Sequence, residues 1–80
     1  MNQSAPPLVT RSDRDGITSL ALNRPEALNA LSPSLFEELQ SHLTDIANRP
    51  DETGAVVLSG NGRSFSAGND LKAIEKGERA

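Results

Sequence analysis

The sequence predicts an α/β fold in which a β-hairpin, a helix, a buried parallel strand and a glycine-rich loop into a short helix follow one another. Three observations carry that expectation. Residues 17–22 alternate between two faces, with the period of a strand. Leu35, Phe36, Leu39, Leu43 and Ile46 recur three and four residues apart, the period of an amphipathic helix. Residues 55–59, Ala-Val-Val-Leu-Ser, are short, β-branched and not alternating, as in a strand covered on both faces.

Residues 1–7 are polar and contain Pro6-Pro7, so they read as a disordered lead-in. Leu8-Val9-Thr10 opens a short strand. Asp15-Gly16 signals a hairpin turn, where glycine supplies the positive φ required. In the second strand Ile17, Ser19 and Ala21 share one face, and Thr18, Leu20 and Leu22 share the other. The two strands should pair antiparallel. Asn23-Arg24-Pro25 ends the second, because Pro25 cannot donate to a ladder and biases Arg24 away from helix.

Ser32-Pro33 is a helix start, a hydroxyl N-cap followed by proline at the first helical position. Glu37, Glu38, Gln40 and Ser41 fall on the polar face of this helix, and Pro50 stops it near Asn48-Arg49. Strand, helix and strand in this order imply a right-handed parallel crossover. Gly60-Asn61-Gly62-Arg63-Ser64 is then a glycine-rich loop, and residues 71–76 can form a short helix.

Composition narrows the function classes. Eighty residues make one small domain at most, and a chain of that size buries only about 60% of the surface its unfolded form exposes. There is no cysteine and His42 is the one histidine, so a disulfide framework and a Cys/His zinc site are excluded. Without such staples, a segment that depends on partner chain is the expected case. The net charge of -3 carries no Lys/Arg cluster, which argues against a nucleic-acid partner. The longest apolar run, residues 55–58, is far below the roughly 20 residues of a membrane span. The N-terminus has no signal-peptide pattern. The expectation is a reduced, cytoplasmic protein.

A glycine-rich loop between a strand and a helix can cradle phosphate, but two familiar versions fail here. A P-loop needs Lys and Ser/Thr after its last glycine, whereas Gly68 precedes Asn69-Asp70. The dinucleotide fingerprint needs a third glycine where Phe65 stands. What remains is backbone. Ala67-Gly68 has little bulk, so a ligand can approach the main chain, and the first N–H groups of a helix starting near Asn69 could stabilise an oxyanion or enolate. The alternative is a tight turn in which Asn69 or Asp70 caps a helix.

Three motifs follow in order, Leu22-Asn23-Arg24-Pro25-Glu26-Ala27-Leu28-Asn29-Ala30-Leu31, Val56-Val57-Leu58-Ser59-Gly60 and Phe65-Ser66-Ala67-Gly68-Asn69-Asp70-Leu71, and the resemblance they carry extends over about residues 8–76. Together they resemble the N-terminal third of the crotonase family, the enoyl-CoA hydratases and isomerases. The resemblance implies that residues 8–80 are the N-terminal part of a crotonase-like ββα superhelical fold that binds acyl-CoA. Members hold the thioester carbonyl between two backbone N–H groups, and the first of these maps to Asn69. Ala27 and Leu28, with Ser66, Ala67, Gly68, Asn69, Asp70 and Leu71, match the wall that receives coenzyme A. Coenzyme A is part of the substrate, and no separate cofactor or metal is implied. Full-length relatives commonly form homotrimers or hexamers.

The second donor and the catalytic carboxylates of the family lie on later segments, with no counterpart among these motifs. Glu37, Glu38, Glu75, Glu78 and His42 read as surface or packing residues, and Asp70 as a helix-start or loop-fixing residue. Arg24 either approaches a cofactor phosphate or is a solvated turn residue. The implied reaction is hydration of a 2-enoyl-CoA. Delta-isomerisation of an enoyl-CoA, a non-catalytic fragment that needs a complementary chain, and a stand-alone coenzyme A-binding module are the alternatives.

Overall fold

Asp15 and Gly16 both take positive φ, 54° and 77°, the combination that a two-residue primed hairpin turn requires. In this computed structural model, which describes residues 6–71, that turn folds β1 (Val9–Arg14) back on β2 (Ile17–Leu22). The pair is antiparallel, from Arg14 opposite Ile17 to Val9 opposite Leu22. A short 3₁₀ turn, Pro25–Ala27, follows, then α1 (Pro33–Ala47) and β3 (Ala55–Gly60). β3 pairs parallel with β2, giving the sheet order β1-β2-β3. The α/β order expected from the sequence is the one observed.

The strand faces divide as the alternation requires. Thr18, Leu20 and Leu22 point inward and are buried, and with Val9 and Leu35 of α1 the leucines form the core. Leu8, Leu31, Leu39 and Ile46 pack around it. Full burial of such a side chain contributes about 1.5–3 kcal/mol. Ser32 caps α1 as its sequence suggests, accepting the Leu35 N–H at 3.2 Å through Oγ, with Pro33 in the first turn. At the other end the Asn48 N–H closes on the carbonyls of Thr44 and Asp45.

Three expectations need correction. β3 was expected to be buried on both faces, yet Val56, Val57 and Leu58 are 43%, 50% and 44% exposed. The helix that covers the sheet sets Leu35 against Val9, Leu20 and Leu22, so β3 gains ladder hydrogen bonds with β2 but little side-chain cover. For the same reason the helical stripe is divided. Leu35, Leu39 and Ile46 meet the core, while Phe36 and Leu43 are left exposed. Glu38 is also not a simply solvated residue, since its Oε2 accepts the Leu8 N–H at 2.6 Å and ties the entry of β1 to α1.

Leu71 is helical. The rest of the expected helix over residues 71–76, Glu75, Glu78 and the first five residues of the expected lead-in lie outside the described residues.

Candidate functional site

Two loops leave the same end of the sheet, one after β2 and one after β3, and Asn29 joins them. Leu28 and Asn29 both adopt φ 54°, a left-handed conformation that asparagine tolerates and leucine rarely does. Asn29 is fully buried. Its Oδ1 accepts the Arg24 N–H at 2.7 Å, and its Nδ2 donates to the carbonyls of Asn61 and Ser64, both at 2.9 Å. Every side-chain hydrogen is thus satisfied across more than thirty residues of sequence, as a buried amide requires.

Gly60 begins the second loop where no larger residue fits. A Cβ there would meet the Ser64 carbonyl at 2.6 Å and the backbone of Phe65. Ala67 then donates its N–H to the Leu28 carbonyl at 2.9 Å, and the Ser66 hydroxyl donates to the Asn29 carbonyl at 2.8 Å. Gly68 takes φ 93°, a region open to glycine and costly for other residues.

Leu31 and Asn69 form an isolated parallel bridge. Leu31 donates to the Gly68 carbonyl at 2.7 Å and accepts from the Asp70 N–H at 3.2 Å. The Gly68 carbonyl and the Asn69 N–H belong to one planar trans peptide, in which they point in opposite directions. A carbonyl that faces Leu31 therefore turns the Asn69 N–H away from it. That N–H has no partner among the described residues, and Asn69 is exposed.

Of the residues read from the sequence as lining a ligand, Ala67, Asn69 and Leu71 are exposed, and Ala27, Leu28, Ser66, Gly68 and Asp70 are partly buried. The interloop bonds bring Leu28 beside Ala67 and the Leu31 bridge beside Asn69. Asp70 fixes the loop, since its Oδ2 pairs with the Arg24 guanidinium at 2.5 Å. Arg24 is accordingly not a solvated turn residue. Asn29 is the residue that sequence reasoning missed as a functional support. The signal present was an asparagine in a turn beside the Asn-Arg-Pro motif, but its partners are far away in the chain.

Among the described residues the shifted ionisable groups lie elsewhere, both on β1. Hydrogen bonds from Thr18 and Arg11 hold the Asp13 carboxyl below its ordinary value. Arg11 is pushed up by Asp13 and Asp45, with His42 Nδ1 at 3.5 Å from the guanidinium. Among the described residues no cluster of His, Cys, Asp and Glu could hold a metal, and no helix is long and apolar enough to cross a membrane.

The family model for enoyl-CoA hydratase/isomerase matches residues 12–80. The chain belongs to that family. A probable enoyl-CoA hydratase of Mycobacterium bovis is 43% identical over 67 residues, covering 84% of this chain and 25% of its relative. Enoyl-CoA delta isomerase 2 of Homo sapiens is 41% identical over 64 residues, covering 80% and 16%. The crystal structure of an enoyl-CoA hydratase from Mycobacterium marinum superposes with a TM-score of 0.81 at 39% identity, over 86% of this chain and 32% of that one. The chain therefore has the crotonase fold of the enoyl-CoA hydratase/isomerase family over the portion it spans. It spans about a quarter or less of the length of these curated relatives. Proteins named as hydratase and as isomerase match this portion to similar extents.

Proposed function

We propose that the chain supplies the carbonyl-polarising part of an acyl-CoA site in an enoyl-CoA hydratase. The observation that carries this reading is the Leu31–Asn69 bridge, which directs the Asn69 N–H outward beside Gly68. A donor fixed before the reaction stabilises developing charge without having to reorganise. The thioester oxygen of a 2-enoyl-CoA accepts from Asn69. As the oxygen of water bonds to C3, the C2–C3 π pair moves toward the carbonyl and charge grows on that oxygen. Water gives up its proton to a base, and protonation at C2 returns the thioester. The second N–H donor and the carboxylates that move these protons belong to other parts of the family fold.

Ala27, Leu28 and residues 66–71 border the coenzyme A, which is part of the substrate and leaves no separate cofactor to bind. A cytoplasmic location and a homotrimeric or hexameric full-length form belong to the same proposal. Isomerisation of an enoyl-CoA is the second reading, favoured by the likeness to the human isomerase. It uses the same polarised carbonyl, with a proton removed at C2 and returned at C4. The half-exposed aliphatic strand β3 further supports a working form in which more polypeptide covers the sheet.

Titration of the isotope-labelled chain with crotonyl-CoA, and with the matching thioether that lacks the carbonyl, tests the reading. The Asn69 amide resonance should move downfield with the thioester and not with the thioether. Equal movement with both, or none in a folded chain, would contradict it.

A further inference from the structure

We propose that Ser66 is a positioning residue, whose hydroxyl, held between the Asn29 carbonyl and the Gly68 N–H, sets the direction of the Asn69 N–H. This inference rests on the reading of Asn69 as the carbonyl donor. A serine hydroxyl offers one hydrogen and two lone pairs. Ser66 gives its hydrogen to the Asn29 carbonyl at 2.8 Å and accepts the Gly68 N–H at 3.1 Å. It is partly buried, and its one hydrogen is committed to the chain's own backbone.

The geometry explains why this matters to Asn69. Two peptide planes meet at Gly68. The plane before it carries the Gly68 N–H, which Ser66 holds. The plane after it carries the Gly68 carbonyl and the Asn69 N–H, and Leu31 holds that carbonyl. Only the φ and ψ of Gly68 relate the two planes, and glycine is the residue with the least steric restriction on those angles. Clamping both planes fixes the angle at which the Asn69 N–H leaves the surface. The anchor of the first clamp is itself immobilised, because Asn29 is fully buried and its side chain spans both loops.

Ser66→Ala removes both hydroxyl bonds, and Ser66→Thr keeps the hydroxyl. Two readouts separate positioning from general stability. The first is the orientation of the Gly68 and Asn69 N–H vectors from residual dipolar couplings without ligand. The second is the ratio of affinities for crotonyl-CoA and its thioether. In Ser66→Ala the vectors should reorient and the ratio should fall about fivefold to tenfold, the equivalent of one to two net hydrogen bonds. The thioether affinity serves as the internal reference of that ratio, and Ser66→Thr should restore both readouts. If Ser66→Ala loses its cooperative melt, Ser66→Cys replaces it, with a weaker donor and acceptor of similar size and the same two readings. Unchanged vectors and an unchanged ratio would overturn the proposal. A wild-type ratio of one would instead remove the carbonyl-donor reading, while the vectors still decide whether Ser66 orients the Asn69 amide.

Discussion

Arg24 and Asp70 lie 46 residues apart in sequence and meet as an ion pair, with side chains only 27% and 11% exposed. The pair closes the loop after β2 onto the loop after β3, immediately beside the outward-facing Asn69. A partly buried charge-assisted bond of this kind is worth more than a surface pair. Asp70→Asn should therefore lower stability by about 1–3 kcal/mol, read as a lower denaturant midpoint. An unchanged midpoint would show that the pair does not hold the loops together.

Gly60 and Gly68 should respond differently to the same substitution. Gly60→Ala drives a methyl into the backbone carbonyls of Ser64 and Phe65, so the second loop must shift and the melting temperature should drop. A methyl at Gly68 meets nothing within 4 Å, and its cost is the conformation at φ 93° alone, about 1–3 kcal/mol. Thermal melts of the two variants should rank Gly60→Ala as the more damaging. The reverse order would mean that the close approach at Gly60 is easily relieved.

Core and surface members of the apolar pattern are likewise distinguishable. Leu20 is fully buried, and Leu20→Ala should cost about 2–5 kcal/mol, enough to abolish cooperative unfolding in a chain this small. Phe36 is 43% exposed, and Phe36→Ser should change stability by about 0.5 kcal/mol or less. Comparable losses in both would show that the outer face of α1 is covered in solution.

Acid should weaken the fold partly through Asp13. Its folded pKa lies below the ordinary aspartate value, first because of the Thr18 hydroxyl and then because of Arg11. A depressed carboxyl contributes stability that is fully present above the unfolded value and fades as pH falls through the folded one. Asp13→Asn should therefore be less stable than wild type near neutrality, with the gap closing between about pH 5 and pH 2. Parallel melts across that range check it, and a constant gap would contradict it.

Features that depend on near neighbours were legible in the sequence, as was the parallel pairing of β2 and β3 that strand-helix-strand order implies, whereas contacts between distant loops were not. Asp15-Gly16, the Ser32-Pro33 cap and the alternation of Thr18, Leu20 and Leu22 each depend on neighbours within a few residues, so the hairpin, the helix start and the core face were legible. The burial of β3 depends on what lies over it, and composition alone does not reveal that cover. The same limit hid the support behind Asn69. Asn29 bonds to Asn61 and Ser64, 32 and 35 residues away, and no periodicity marks such a contact. Leu28 in a left-handed conformation runs against its own propensity, so its turn was invisible. The low bulk of Ala67-Gly68 left Asn69 legible as one of two readings, a backbone donor or a helix cap, and the direction of its N–H depends on the bridge to Leu31, which no local pattern marks.

The measurement that bears most directly on the central claim is the infrared frequency of the thioester carbonyl of isotope-labelled crotonyl-CoA bound to the wild-type chain, Asn69→Ala and Asn69→Pro. A backbone donor survives replacement by alanine and is removed by proline, which has no N–H. The account predicts a carbonyl stretch shifted to lower frequency in the wild type and equally in Asn69→Ala, with the shift lost in Asn69→Pro. A shift that disappears in Asn69→Ala, or persists in a folded Asn69→Pro, would show that the Asn69 amide does not polarise the carbonyl.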